Sequence, residues 1–98
     1  MNNPQTLRIG GVEYKILYPL EIKGKLMGEC DHDKSLILIS QDQSQVMIQS
    51  TLLHEAIHTS AHHIDWKPRE DTVRKIEKMI FALIRDNPEF VKWLLEKE

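Results

Sequence analysis

With 98 residues, the chain is long enough for one domain with one modest core, which excludes a two-domain enzyme. Its 13 basic and 15 acidic residues leave a net charge of −2, so the chain lacks the basic surplus expected of a nucleic-acid-binding protein. A hydrophobic content of 41% with 29% charged residues is typical of a globular protein and excludes a disordered or collagen-like one. The unusual feature is the histidines, because four of the five lie within residues 54–63.

The N-terminal residues are polar, and no apolar run in the chain is long enough for a signal peptide or a membrane-spanning helix. The sequence therefore predicts a soluble, cytoplasmic protein that does not engage a membrane. The single cysteine, Cys30, excludes an intrachain disulfide and agrees with a reducing compartment. No repeat, linker or low-complexity segment divides the chain, so residues 1–98 are predicted to form one compact domain.

Strand and turn patterns fill the first forty residues. Residues 7–9 and 12–16 alternate apolar and polar side chains on either side of Gly10-Gly11, a pattern that predicts a β-hairpin. Residues 31–34 are predicted to form a turn. Leu36–Ile39 follows as a short apolar run, which is expected to be a further strand.

The first helix is predicted to begin near Ser40 and to end near His62. Ser40 followed by Gln43 matches a capping box, in which the two side chains satisfy free N–H groups of the first helical turn. Four apolar residues then share one face of a helical wheel and are expected to face the core: Val46, Leu53, Ile57 and Ala61. His54 and His58 lie along the edge of that face.

Two more helices are predicted after the first. Pro68 suits the first position of a helix, and apolar residues at helical spacing from Val73 to Ile84 continue that helix to about Asp86. Asn87-Pro88 ends it and begins a short C-terminal helix, which could close over the core or contact a partner. The expected fold class is α+β, with a small, mostly antiparallel sheet packed against the histidine-bearing helix.

Residues 54–58, His-Glu-Ala-Ile-His, form an HExxH motif. On a helix, residues four apart differ by about 40° in direction and about 6 Å in height, so His54 and His58 can bind one metal ion from the same face. Glu55 lies about 100° round the helix from His54 and about 60° from His58, so it is placed to accept a proton from a water on the metal, the role of a general base, rather than to bind the ion. The ligand types favour Zn²⁺, and other divalent ions also accept imidazole and carboxylate.

A catalytic zinc site needs a third protein ligand, and Glu70 is the first choice. Its position in the first turn of the next helix puts it beside the apolar residues that face the core. Glu77 lies about two turns further on, on nearly the same face, as a reserve ligand or as a residue that holds a ligand in place. Asp65 is a further alternative.

His62 and His63 compete for the same third position. His62 lies about 12 Å along a straight helix from His54, so both can bind one ion only if the helix breaks between them. We therefore expect His62 and His63 to lie at the rim of the site. There, either residue could stabilise an oxyanion or orient Glu55.

The helix from Thr51 to Thr59, together with Glu70, resembles the small HExxH metallopeptidase-like proteins of the gluzincin group. These include the ImmA/IrrE-like proteins and compact relatives carried by bacteria and phages. In such families the third zinc ligand is a glutamate on the helix after the motif, and Glu70 stands in the matching place. The resemblance covers about residues 36–90 and implies a zincin-like fold. The chain lacks the glycine common in the family's HELGH form, and its 98 residues include no attached DNA-binding domain.

The motif and the resemblance together predict a zinc-dependent metallopeptidase. Zn²⁺ on His54, His58 and Glu70 would lower the pKa of its water and polarise the peptide carbonyl, while Glu55 takes the proton. Leu36–Ile39, if it is an edge strand above the cleft, could hold a protein or peptide substrate by strand addition. The alternative function is a zinc-stabilised, catalytically silent protein-binding module. The sequence does not define the oligomeric state.

Overall fold

A computed structural model of the chain describes residues 2–97, in which four β-strands precede three α-helices. This α+β architecture is the fold class that the sequence predicted. Among the described residues, no helix is both long and apolar enough to cross a membrane. The elements are β1 (Thr6–Ile9), β2 (Val12–Leu17), β3 (Gly28–Asp31), β4 (Leu36–Ile39), α1 (Gln45–His63), α2 (Glu70–Asp86) and α3 (Pro88–Leu94).

The strands form one mixed sheet in the order β1-β2-β4-β3. β1 pairs with β2 and β3 pairs with β4 in antiparallel fashion, while β2 and β4 run parallel, so the mostly antiparallel sheet is confirmed. The expectation that Leu36–Ile39 is an edge strand is wrong. Ile37 of β4 pairs with Ile16 on one side and with Cys30 on the other, which leaves β1 and β3 as the edges. An uninterrupted apolar run is typical of such an interior strand.

The predicted hairpin joins β1 and β2 through Gly10 and Gly11, whose φ angles are 58° and 78°. Both values lie in the left-handed region, which the favoured two-residue hairpin turns need and which glycine adopts without strain. Gly10 also makes room for a residue of α1, because a Cβ at this position would lie 2.5 Å from the His63 ring. The hairpin turn and the C-terminal end of α1 are therefore in direct contact.

The hydrophobic core lies between the sheet and α1. It is formed by alternate residues of the two central strands and by one isoleucine of the helix: Tyr14, Ile16, Ile37, Ile39 and Ile48. Ile37 and Ile39 have no exposure to solvent, so β4 is central to the packing as well as to the strand order. Leu52 packs against this cluster one turn further along α1.

α1 uses three faces rather than one. Ile48 marks the face that packs on the sheet, whereas Leu53 and Ile57, about 140° and 180° round the helix, line a groove shared with α2. The prediction of a single core face is therefore wrong. Of its four members only Ala61 is fully buried, and Val46 is 51% exposed. The two histidines of the motif occupy the third face.

α1 also begins later than predicted. Ser44 is the cap residue, and its side chain accepts a hydrogen bond from the Met47 backbone N–H at 3.2 Å. Ser40 is buried, and its hydroxyl donates to the Leu20 carbonyl and accepts from the Asp42 N–H, each at 3.2 Å, so it holds the loop before the helix rather than the first helical turn. The Gln43 amide donates to the Ser40 carbonyl at 2.7 Å, so this pair closes a turn before the helix.

α2 and α3 form an arm beside α1. The hydrogen bond from the Val73 N–H to the Arg69 carbonyl opens α2, so the helix begins at Glu70 and the predicted start at Pro68 is wrong. The predicted end near Asp86 is confirmed, and a third helix follows as expected. Among the described elements, α3 packs against α2 alone, so α3 does not close over the core.

Candidate metal centre

His54, His58 and Glu70 meet between α1 and the first turn of α2. His54 Nε2 lies 2.5 Å from Glu70 Oε1, and His58 Nε2 lies 2.9 Å from Glu70 Oε2. Both imidazoles project from one face of α1 because residues four apart on a helix point in nearly the same direction. Among residues 2–97, this is the one set of three ligand-type residues whose donor atoms all lie within 4.8 Å of one another. The structure thus brings together the three residues that the sequence proposed as ligands.

The donor chemistry of this set suits a divalent transition metal such as zinc. Two imidazole nitrogens and one carboxylate oxygen form a ligand combination found in catalytic zinc sites, where a further position stays open for water or substrate. Side-chain exposure rises from 13% at His54 through 30% at His58 to 52% at Glu70, so the cluster opens to solvent on the α2 side. A metal ion can therefore reach the donors without a change in the fold.

Glu77 supports His54 from the side away from the ligand set. Its Oε1 lies 2.9 Å from His54 Nδ1, and the two side chains are only 14% and 13% exposed. A carboxylate can only accept, so Nδ1 donates this hydrogen bond, and Nε2 is the ring nitrogen that faces Glu70 and that would bind a metal. The other Glu77 oxygen accepts a hydrogen bond from the Ser50 hydroxyl. The sequence interpretation allowed this role for Glu77 but missed Ser50, which the spacing of four residues from His54 could have indicated.

Glu70 is held in its charged form. Burial alone would raise the pKa of its carboxyl group, but the imidazoles of His54 and His58 outweigh burial and lower the pKa from 4.5. The Arg74 guanidinium lies 3.8 Å away in an exposed pair and adds little. The deprotonated carboxylate is the form that binds a metal.

Glu55 lies beside the ligand set but outside it. It sits on the α1 face toward β3, where a Cβ on Gly28 would lie 3.2 Å from Glu55 Cγ. Burial raises the pKa of the Glu55 carboxyl group above 4.5, although His54 and His58 partly offset the rise. A carboxylate with a raised pKa is better matched to proton transfer near neutral pH. Glu55 therefore lies next to the ligands, and its role as a general base stays a prediction.

A cleft of about 420 Å³ runs past the ligand set. Leu26, Met27 and Met47 contribute apolar side chains to its wall, while His54 and Glu70 contribute polar ones. The N-terminal end of β3 also lines the cleft. Because β3 is an edge strand, one row of its backbone N–H and C=O groups is not used within the sheet.

His62 and His63 contact a different part of the molecule. The His62 ring stacks on the His32 ring with centroids 3.7 Å apart, and His63 Nε2 lies 2.8 Å from the Tyr14 hydroxyl. His32 Nδ1 is in turn 3.6 Å from Cys30 Sγ. Burial lowers the pKa of His32, and the two neighbouring imidazoles lower it further. Neither His62 nor His63 belongs to the ligand set, and both tie the end of α1 to the sheet.

Asp65, another alternative for the third ligand, ends α1 instead. Its backbone adopts the left-handed conformation with φ 55°, which turns the chain out of the helix. The Trp66 N–H then donates to the Ala61 carbonyl at 2.9 Å and closes the last turn. The Asp65 side chain is exposed and is not part of the ligand set.

Comparison with known proteins does not add to this description. No family model, curated protein or solved structure matches the chain.

Proposed function

We propose that the protein is a zinc-dependent metallopeptidase of the HExxH type, similar to the small gluzincin-like proteins. One observation carries the proposal: a carboxylate from a second helix, Glu70, faces both motif imidazoles while Glu55 stays beside them. If the HExxH sequence were a chance match on a surface helix, there would be no reason for a carboxylate of another helix to contact both imidazoles. We also propose a cytoplasmic location, which the free thiol of Cys30 supports.

Each residue of the site has a distinct task in the proposed reaction. His54, His58 and Glu70 would hold Zn²⁺, which when bound would supply Lewis acidity to lower the pKa of a water toward about 7 and to polarise a carbonyl. Glu55 accepts the proton of the attacking water and delivers it to the leaving amine as the C–N bond breaks. Glu77 keeps the His54 ring in one tautomer and one orientation throughout.

An extended peptide is the substrate class that best fits the cleft. β3 can accept such a peptide as an added strand, because its outer edge is free of other strands. The apolar wall of Leu26, Met27 and Met47 suits an apolar side chain near the bond to be cleaved. Leu36–Ile39 cannot take this role because β4 has a strand on each side.

Elemental analysis of the purified protein by mass spectrometry tests the metal. We expect about one zinc per chain in the wild type and its loss in His58→Ala. His62→Ala is the matched control, because it removes an imidazole of the same helix that lies outside the ligand set, and it should retain zinc. A wild type without metal, or equal zinc in His58→Ala, would contradict the proposal.

Glu55→Gln separates catalysis from metal binding. The amide cannot accept a proton, so hydrolysis of a quenched fluorescent peptide library should fall by about 100-fold or more while zinc content stays unchanged. Hydrolysis by Glu55→Gln at the wild-type rate would refute the enzymatic mechanism. Zinc binding without hydrolysis in either protein would instead favour the catalytically silent binding module.

A further inference from the structure

The chain exposes more surface than its size requires. Its accessible surface is 7529 Å², whereas a compact monomer of this mass exposes about 5,800 Å². Its radius of gyration, 13.9 Å, also exceeds the value of about 12.6 Å expected for a globular chain of this length. The excess is about 1,700 Å² per chain, an area comparable to what one subunit buries in a stable homodimer.

Much of the exposed apolar surface belongs to the C-terminal arm, the part of the chain formed by α2 and α3. Leu83, Phe90, Trp93, Leu94 and Leu95 are each at least 44% exposed. Phe90, Trp93 and Leu94 share one side of α3 because residues three and four apart lie on the same helix face. The Phe90 and Trp93 rings stack with centroids 6.1 Å apart. Since α3 packs against α2 alone among the described elements, this apolar face has no partner within residues 2–97.

An apolar groove of about 410 Å³ lies between α1 and α2. Its lining includes Leu53, Ile57, Ile76, Ile80, Ile64 and Trp66. Ile64 is 72% exposed and Trp66 is 44% exposed, so the groove is open to solvent. It lies on the side of α1 opposite the sheet and is distinct from the face that carries the motif histidines.

We propose that two copies of the chain form a two-fold-symmetric dimer in which α3 of each copy lies in the α1–α2 groove of the other. Each chain carries both surfaces, and a symmetric pair covers both at once. Burial of the excess from both chains gives about 3,400 Å², within the range of about 2,000–5,000 Å² typical of obligate homodimers. Trp93 is the largest side chain on the exposed face of α3 and anchors the contact. The groove lining includes none of His54, His58 and Glu70, so the proposed contact does not use the metal ligands.

The mass of the full chain in solution, measured by sedimentation equilibrium over a concentration series, tests the dimer. We expect the mass of two chains for the wild type. Trp93→Glu and Ile64→Lys alter residues that are 63% and 72% exposed, so they leave the monomer core intact. Each substitution should weaken dimerisation by about 30-fold or more, the loss typical of a central interface residue. Leu20→Glu is the matched control: this residue is 73% exposed outside the arm, and its substitution should leave the dimer unchanged.

Mixing the two variants tests which surfaces meet. A Trp93→Glu chain keeps a native groove and an Ile64→Lys chain keeps a native α3, so their mixed dimer has one native contact and one Glu–Lys contact. We expect the mixture to recover the dimer mass that neither variant shows alone. A monomeric wild type, or a dimer insensitive to Trp93→Glu, would overturn the proposal. A dimer that Trp93→Glu dissociates and Ile64→Lys does not would also overturn it, because α3 would then pack on α3.

Discussion

Substitution of Glu77 measures how far metal binding depends on the support of His54. The bond between His54 Nδ1 and Glu77 Oε1 is 2.9 Å long and joins two side chains that are 13% and 14% exposed, so water screens it little. Loss of the residue that orients a ligand histidine lowers metal affinity by about 10- to 100-fold, or about 1.4–2.7 kcal/mol. Glu77→Gln keeps an acceptor for the Nδ1 proton and loses only the charge, so we expect about a 10-fold loss. Glu77→Ala removes the acceptor from both His54 and Ser50, so we expect about a 100-fold loss.

Competition with a chromophoric zinc chelator gives the dissociation constants needed for this comparison. Asp71→Asn is the control, because it also removes a carboxylate from α2. The Asp71 side chain is 62% exposed, and its Oδ1 lies 3.6 Å from Arg69 Nε in a long surface ion pair. Because such a pair contributes little, the loss of its charge should change zinc affinity by less than about twofold. If Glu77→Ala binds zinc as tightly as Asp71→Asn, the hydrogen bond does not orient His54 and the reasoning is refuted.

Three further predictions concern stability. Burial raises the pKa of Glu55 above 4.5, so its charged form destabilises the fold at neutral pH and this cost disappears below pH 4.5. Metal-free Glu55→Gln should therefore melt at a higher temperature than the wild type at neutral pH, and a gain that persists below pH 4.5 would contradict this cause. Burial, and after it the neighbouring imidazoles, lowers the pKa of His32 in the folded protein from 6.5. On acidification His32 therefore takes up its proton more readily in the unfolded chain than in the folded one, so the fold loses stability below pH 6.5. His32→Gln should flatten the dependence of melting temperature on pH in that range, and an unchanged slope would count against it. A Cβ at Gly28 would lie 2.8 Å from Thr51 Cγ2, so Gly28→Ala should cost about 1–3 kcal/mol in urea unfolding. Thr51→Ser removes that methyl group, so the double variant Gly28→Ala with Thr51→Ser should recover most of the lost free energy of unfolding. A double variant no more stable than Gly28→Ala would show that contact with Thr51 is not the cause.

The ligand set could be predicted because helical periodicity determines most of it. His54 and His58 share a face wherever an HExxH segment is helical, and that requires no knowledge of the rest of the fold. Glu70 needs only that the next helix packs beside α1, which a short connector over residues 64–69 favours. Glu77 follows from Glu70 by the same periodicity, two turns along α2.

The features that were not predicted depend on contacts between distant segments. Ser40 has the right neighbours for a capping box, but the Leu20 carbonyl engages its hydroxyl and the helix begins at another serine. The edge strand was misassigned because pairing of β4 with both β2 and β3 joins segments far apart in the chain. The three faces of α1 were reduced to one because a helical wheel does not show which neighbouring elements surround the helix.

The placement of Glu70 on α2, apart from the two histidines on α1, makes a bound ion a cross-link between helices. Val73 is the one fully buried residue of α2, and Glu77 also holds the helix to His54 and Ser50 of α1, so an ion on Glu70 would add a further point of attachment. If zinc binds as proposed, metal removal should therefore loosen residues 70–94 before the sheet, with faster amide hydrogen exchange and earlier cleavage by proteases there. The same segment carries the proposed dimer contact, so if both proposals hold, zinc binding and self-association would be thermodynamically linked and each would strengthen the other. Metal supply would then control the lifetime and assembly of the protein as well as its chemistry.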